Sequence, residues 1–486
     1  MRVMSAPLWM PEEVLAATGA RAVGSLPAAN GGVSIDTRTL APGDLFFAIK
    51  GDVHDGHGFV RDALKKGAAA AVVAQERAAE FDGAGALLVV PDVLEALGRL
   101  GIAARARSNA KIVAVTGSVG KTGTKEALRL AFERLGRTHA SVASYNNHWG
   151  VPLTLARLPR DAEYGVFEIG MNHSGEIAPL TRMVRPHVAV ITTVEPVHIE
   201  FFPSVSAIAD AKGEIFLGVE PGGTAVLNRD NPHFERVRAH AQASAAGRIL
   251  TFGEGEGADV RAERIVLKGE VSLVEARVLG RPLAYRLGAP GRHVAMNSLA
   301  VLAAVAAAGG DVARAAQGLA DLTPPAGRGE RIVLRAPGGE FLLVDEAFNA
   351  NPASMRAALA NLAATDPAPG RRIAVLGDML ELGENGPALH RDLLGPVAES
   401  RADLVFAAGP LMDNLFKTLP PERRGGYAAS AAELEAAVLA AVRAGDVVMV
   451  KGSKGILVSR IVKALKERYA PERFAPDRES RAAAKG

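Results

Sequence analysis

Gly117-Ser-Val-Gly-Lys-Thr122 combines the residue types that bind a phosphate chain. Glycines let backbone N–H groups close around phosphate oxygens, a helix N-terminus adds a favourable dipole, and the Lys121 ammonium adds a point charge. Thr122 is placed to give its hydroxyl to Mg²⁺. The flanking residues supply the frame this chemistry needs. Ile112 to Val115 is an apolar, β-branched run that reads as a buried strand, and it breaks at Thr116-Gly117-Ser118-Val119-Gly120. A helical pattern opens at Lys121 and runs through Leu128, Leu130 and Leu135. Strand, glycine turn and helix in that order point to a nucleoside triphosphate as co-substrate. The loop is short, with only Ser118 and Val119 between Gly117 and Gly120. A plain glycine turn between strand and helix is the alternative.

Further candidates follow along the chain. Glu168 lies near the end of Tyr164-Gly-Val-Phe-Glu-Ile169, where ligands gather in open α/β sheets. With Thr122 it can hold Mg²⁺, which prefers hard oxygen ligands; the alternative is a solvated strand-end carboxylate. Glu195-Pro-Val-His198, Ala211-Lys212-Gly-Glu-Ile215, Gly291-Arg-His293 with Asn297, and Asp345-Glu-Ala-Phe-Asn-Ala-Asn-Pro352 continue the series. Taken singly these have ordinary readings. His198 is a loop histidine, Lys212 a surface lysine, Asn297 a solvent-facing helix asparagine, and Arg328 a linker arginine. Asp345 is a strand-end residue that caps the next helix.

The elements that must position these residues alternate strand with helix. Before residue 108 the strands read as Asp44–Ile49, Ala69–Val73 and Ala86–Val90. After the glycine loop come Tyr164–Ile169 and His187–Thr192, with helical patterns between. This order argues for a parallel sheet covered on both faces. Residues 259–287 alternate differently, as in Val274-Glu-Ala-Arg-Val278, and read as an antiparallel extension. Asp321-Leu-Thr-Pro-Pro-Ala-Gly-Arg-Gly329 is a Pro/Gly linker. A third α/β unit follows, with strands Phe341–Asp345, Arg372–Leu376, Leu404–Ala407 and Asp446–Val450. Tyr469 to Gly486 reads as a frayed tail.

Composition limits the functional classes. The 486 residues are 48% hydrophobic and 22% charged, enough for three domains with buried cores. Lys plus Arg exceed Asp plus Glu by only 56 to 53, with no long basic run in the body, which argues against nucleic acid as a partner. The absence of cysteine excludes disulfides, thiolate metal sites and cysteine catalysis. No stretch reads as a membrane span or a signal peptide, so a cytoplasmic protein is expected.

In combination and order these motifs resemble the Mur ligase family, ATP-dependent amide-forming enzymes of peptidoglycan synthesis. Ser144-Tyr-Asn-Asn-His-Trp-Gly-Val-Pro-Leu-Thr-Leu155 and Glu168-Ile-Gly-Met-Asn-His-Ser-Gly-Glu176 belong to the same set. The shortened loop, Thr-Gly-Ser-x-Gly-Lys-Thr, is the form of that family. The resemblance covers essentially the whole chain. Asp345–Met355, Glu168–Ile177 and Gly377-Asp-Met-Leu-Glu-Leu-Gly383 are similar to the branch that joins D-alanyl-D-alanine to UDP-N-acetylmuramoyl-tripeptide. The Asp-Asn-Pro-Arg motif of the diaminopimelate-adding branch and the Asp-His-Asn-Pro motif of folylpolyglutamate synthetases are both missing.

The resemblance implies an α/β protein of three domains. Residues 1–108 form a small substrate domain for the uridine nucleotide. Residues 109–321 hold ATP on a P-loop-type parallel sheet. Residues 322–486 form a Rossmann-like domain that closes on ATP and binds the amine substrate. It further implies that Thr116, Gly117, Ser118, Val119, Gly120, Lys121 and Thr122 embrace the phosphates, that Asn297 bonds adenine, and that Arg328, Asp345 and Asn349 complete the ATP site. Thr122 and Glu168 hold one Mg²⁺. Lys212, carbamylated by CO₂, holds a second with His198, and Lys121, His198 and Lys212 are the catalytic set. Thr37, Arg38, Lys50, Gly51, Asp55, His57, Asn146 and Asn147 take the UDP-substrate, and the protein is expected to be a monomer. Three rivals remain: a ligase of the same superfamily with another acceptor, a P-loop protein that hydrolyses nucleotide without ligation, and a nucleotide-binding module without catalysis.

Overall fold

A computed structural model of the chain describes residues 7–27, 31–51, 53–367 and 369–469. The architecture is mixed α/β, on sheets of five, nine and six strands. The first sheet runs Arg21–Val23, Leu87–Val90, Ala70–Ala74, Asp44–Phe47, Gly32–Ser34, parallel except for its first strand. Helix Val93–Arg107 covers it and leads into the second sheet. Asp92 starts this helix by accepting from Glu95 N at 2.7 Å, and Val93, Leu97, Leu100 and Ala104 are buried at helical spacing. Leu153 and Ala156, from the second unit's helix Gly150–Ala156, complete the same core, and Trp9 Nε1 donates to Ala156 O at 2.8 Å.

The central sheet has the order Arg281–Leu287, Val271–Val278, Val260–Lys268, Arg248–Gly253, Thr224–Asn228, Val188–Ile191, Lys111–Thr116, Tyr164–Glu168, Thr138–Ala140. Lys111–Thr116 is paired on both sides in parallel, with Val188–Ile191 and Tyr164–Glu168. Its side chains alternate between two cores. Val113 and Val115 join Val188 and Val190 beneath helices Lys121–Glu133 and Arg292–Ala307. Ile112 and Ala114 join Ala189 and Ile191 on the opposite face. Burial on both faces is why the strand reads as a continuous apolar run. Helix Arg292–Ala307 is buried without interruption from Ser298 to Val305, and its alanines permit close packing.

The antiparallel extension is present as three strands, Val260–Lys268, Val271–Val278 and Arg281–Leu287, with a register shift between Ala262 and Arg264. Leu279 and Gly280 both have positive φ, +48° and +82°, as a two-residue hairpin turn requires. The third sheet runs Glu330–Ala336, Gly339–Glu346, Val447–Lys451, Arg372–Gly377, Leu404–Ala408, Arg424–Ala428, with only the first pair antiparallel.

Two sequence expectations need correction. The helix after the glycine loop ends at Glu133, and Leu135 lies in the following turn with its N–H on Phe132 O. Tyr469 is not frayed: it is buried against Phe341, and its hydroxyl donates to Leu439 O at 2.7 Å. Residues 470–486 lie outside the described residues. Among the described residues, no helix is long and apolar enough to cross a membrane.

Candidate active site

The strand Lys111–Thr116 ends in a turn with Gly117 at φ +151° and Gly120 at φ +84°. Side chains are excluded at both positions. A Cβ on Gly117 would stand 1.9 Å from Thr192 Oγ1, and one on Gly120 would stand 2.5 Å from Asn297 Nδ2. The turn is tied to the end of the neighbouring strand. Ser118 N donates to Thr193 O at 2.9 Å, Ser118 Oγ donates to Glu195 O at 2.9 Å, and Thr192 Oγ1 donates to Val119 O at 2.6 Å. The first turn of helix Lys121–Glu133 therefore presents its free N–H groups at a fixed place. Gly117→Ala is expected to strain this loop by about 1–3 kcal/mol and to weaken ADP binding roughly tenfold. Calorimetric titration checks the affinity, and a thermal scan checks that the fold survives.

Lys121 Nζ lies over the loop and donates to Gly117 O at 2.7 Å and Ser118 O at 3.3 Å. Burial pushes its pKa down to about 8, opposed by the Glu168 carboxylate. Glu168 is itself buried. Its Oε1 accepts from Asn146 Nδ2 at 2.7 Å and from Thr122 Oγ1 at 3.2 Å. Its Oε2 is buried with no hydrogen-bond partner. A carboxylate oxygen in that condition is costly unless a cation meets it. The Glu168 carboxylate beside the Thr122 hydroxyl thus fits Mg²⁺. Among the described residues no group of three or more His, Asp or Glu side chains could hold a metal. A cation here would take few protein oxygens and leave the rest of its shell to phosphate and water, as suits Mg²⁺.

Around this centre a cleft of about 700 Å³ opens between the central and third sheets. Ser118 to Thr122, Asn146, Glu168, His198 and Asn297 line it from the central unit, and Arg328 and Asn349 from beyond residue 321. The Arg328 guanidinium lies 3.9 Å over the Phe348 ring, and its Nη2 donates to Ser144 Oγ at 3.4 Å. Residues more than 200 positions apart in the chain thus meet at one centre, because the strands that carry them end on the same side.

Several expected residues sit elsewhere. Thr116 and Gly117 do not line the cleft. Asp345 does not line it either. Its Oδ1 accepts from Ala347 N at 3.0 Å, its Oδ2 is 3.7 Å from Lys466 Nζ, and burial raises its pKa. Its neighbour Glu346 faces the cleft, since successive strand residues point to opposite faces.

His198 lines the cleft at φ +58°, and its Nδ1 is hydrogen-bonded to Glu381 Oε2. Lys212, in the last turn of helix Val205–Gly213, is 3% exposed and lies behind the lining residues. Burial pushes its amine well below the usual lysine value, and the Lys121 charge pushes the same way. No hydrogen bond or ion pair joins it to the described residues. It is therefore not the surface lysine of the ordinary reading.

Of the expected uridine-nucleotide residues, Asn146 lines this cleft and the other seven are outside it. Arg38 is exposed and pairs with Asp36 at 2.6 Å. Thr37 O accepts from Lys66 Nζ, and Gly51 N donates to His54 O. Lys50 bridges to Asp55 through the backbone. Asp55 and His57 bond to each other and tie their turn to the segment Ala74–Arg77. Asp55 accepts from His57 N at 2.9 Å, His57 Nδ1 at 2.7 Å and Arg77 Nη1 at 2.8 Å, while His57 Nε2 accepts from Ala74 N at 3.0 Å. Burial pushes the Asp55 carboxyl up, but the bonds from His57 and Arg77 outweigh it and hold it at about 2. Asn147 caps helix Gly150–Ala156 by accepting from Gly150 N at 3.0 Å, whereas Asn146 turns to Glu168.

Sequence reasoning missed Glu346 and Lys451, whose side chains stand 3.4 Å apart in the cleft wall. Lys451 also donates to Asn349 O at 3.0 Å. Its signal was available: it is a lysine closing the apolar strand Val447–Lys451, at the end where ligands bind.

Three family models match in succession: the Mur ligase family catalytic domain at residues 31–119, the Mur ligase middle domain at 115–305, and the Mur ligase glutamate ligase domain at 327–454. Among curated proteins, the UDP-N-acetylmuramoyl-tripeptide–D-alanyl-D-alanine ligase of Synechocystis is 35% identical over 437 residues, 89% of this chain and 91% of that one. The enzyme of the same name from Escherichia coli is 32% identical over 90% of this chain and 93% of its own length. Among solved structures, MurF from Acinetobacter baumannii superposes with a TM-score of 0.81 at 29% identity, covering 96% of this chain and all of that one, 100%. MurF from Thermotoga maritima in complex with ADP gives 0.72 at 25% identity, covering 90% of this chain and 97% of that one. With full-length relatives above 30% identity and three successive domain matches, the chain belongs to the Mur ligase family.

Proposed function

We propose that the protein joins D-alanyl-D-alanine to UDP-N-acetylmuramoyl-tripeptide, with ATP cleaved to ADP and phosphate. The observation that carries this reading is the cleft. It gathers a phosphate loop, a buried carboxylate with one free oxygen and an arginine from the third unit, in a chain of which 90% aligns with a ligase of that name. In the division of labour we propose, residues 1–108 take the uridine nucleotide, 109–321 hold ATP, and 322–486 close on it and bring the amine.

A carboxylate does not react with an amine at neutral pH. The tripeptide carboxylate first takes the γ-phosphoryl group of ATP as an acyl-phosphate. The dipeptide amine then attacks the acyl carbon and phosphate leaves. Negative charge grows on crowded oxygens in both steps, so positioning and cation placement dominate. The loop N–H groups of 118–122 and Lys121 hold the phosphates, and Arg328 adds charge from the third unit. Asn146 fixes the Glu168 carboxylate, and Asn297 stands beside Gly120 for the base. Thr122 and Glu168 would hold Mg²⁺, which neutralises phosphate charge when bound. His198 and Lys212 would hold a second ion. Supporting this is a buried, unpaired amine whose lowered pKa makes it nucleophilic toward CO₂, giving a carbamate oxygen ligand.

A panel of acceptors tests the reading. D-Alanyl-D-alanine should give a product of the expected mass with the UDP-tripeptide, at least about a hundredfold faster than single amino acids or glutamate. Preference for another acceptor would move the protein to a different branch of the superfamily.

A further inference from the structure

The His198 contact crosses from one unit to the next. His198 lies on the loop after strand Val188–Ile191, and Glu381 lies after strand Arg372–Gly377 of the third sheet. Nδ1 of the one meets Oε2 of the other. Both residues are left-handed, at φ +58° and +61°. That conformation costs a non-glycine residue on the order of 1 kcal/mol and persists where the surroundings fix it.

Here they do. On the Glu381 side, Met379 N donates to His390 Nε2 at 3.0 Å and Leu380 N donates to Ser453 Oγ at 2.9 Å. Met379 and Leu382 are buried on either side of the exposed turn. On the His198 side, Phe201 N donates to His198 O at 3.0 Å. Across the junction, Glu200 N donates to Glu381 O at 3.3 Å, and Ile199 packs against buried clusters of both units.

We propose that Glu381 is the positioning residue for His198, delivered by the third unit, so that the cation site of the cleft is finished only when that unit is docked. The inference rests on the ligase reading above. A carboxylate on Nδ1–H leaves the lone pair on Nε2, which is how carboxylates orient cation-binding histidines. Glu381 does not itself line the cleft, so it acts through His198 and not on substrate.

The test uses the full chain and its Glu381→Ala, Glu381→Gln and Glu384→Gln variants, the last altering an exposed carboxylate of the same turn. ADP binding is measured by calorimetry with Mg²⁺ and with EDTA, alongside ligation rates across a Mg²⁺ series. In EDTA all variants should bind ADP as the parent does. With Mg²⁺, Glu381→Ala should bind about tenfold more weakly and need correspondingly more Mg²⁺ for ligation. Glu381→Gln should lose less, because its amide oxygen still accepts from Nδ1–H, and it carries the comparison if the alanine variant fails to fold. Glu384→Gln should match the parent, and KM for the uridine-linked substrate should not move. Unchanged Mg²⁺ dependence in Glu381→Ala, or an equal loss with and without Mg²⁺, would overturn the proposal. Nucleotide binding needs no acceptor, so this measurement stays readable if the acceptor panel contradicts the ligase reading.

Discussion

Lys121→Ala is expected to lower kcat more than a hundredfold while the melting temperature changes little. The ammonium is anchored over the loop by Gly117 O and Ser118 O, where phosphate charge would grow during transfer. Removing one fixed charge or donor from such a centre costs about 3 kcal/mol or more of transition-state stabilisation. The stability effect should be small, since a buried cation with a lowered pKa contributes little to the fold. Single-turnover phosphate release, set beside thermal unfolding, separates the two. Near-normal ligation by the folded variant would remove the loop from the mechanism.

Lys212→Ala should cost a similar factor for a different reason. As an ammonium, Lys212 would oppose a cation, and it already lies within the field of Lys121. Burial favours the neutral amine, whose nitrogen attacks CO₂, forming an N–C bond and releasing a proton to solvent. The product is a carboxylate-like oxygen ligand of the kind Mg²⁺ takes. The alanine variant should lose at least about a hundredfold in rate, in line with removing one charge from the reacting centre. Acetate or formate should restore part of it by filling the vacated volume. Intact mass of CO₂-equilibrated parent protein should show one added CO₂ that Lys212→Ala lacks. An unmodified Lys212 with full activity would remove the second cation, leaving the Thr122 and Glu168 centre standing.

Much of this arrangement could be read from the chain because its strands are buried on both faces and its turns are glycine-marked. Lys111–Thr116, Tyr164–Glu168 and Val188–Ile191 are near-continuous apolar runs, and the structure ends them beside one another. Short edge strands were illegible. Thr138–Ala140 has three residues, and Arg424-Gly-Gly-Tyr-Ala428 has no apolar period. Glu330–Ala336 was hidden behind the Pro/Gly linker, which ends one residue before it. At the site, Glu168 could be picked out by its type at a strand end and His198 only by its place in the motif order, but orientation decided the rest. Asp345 and Glu346 are adjacent acids, and only the pleat tells which faces the cleft. Asp55 and His57 have the types of a ligand pair, and only the fold shows that they bond to each other and to Ala74 and Arg77. Burial of Lys212 follows from tertiary packing and has no local signal.

The proposed reaction has one cleft couple ATP cleavage to amide formation. Phosphate release measured with the UDP-tripeptide, with and without D-alanyl-D-alanine, reads that coupling. Sustained release, one phosphate per pentapeptide formed, is expected only when both are present. Phosphate release at the same rate without the dipeptide, or with neither substrate, would contradict it and leave a nucleotide hydrolase.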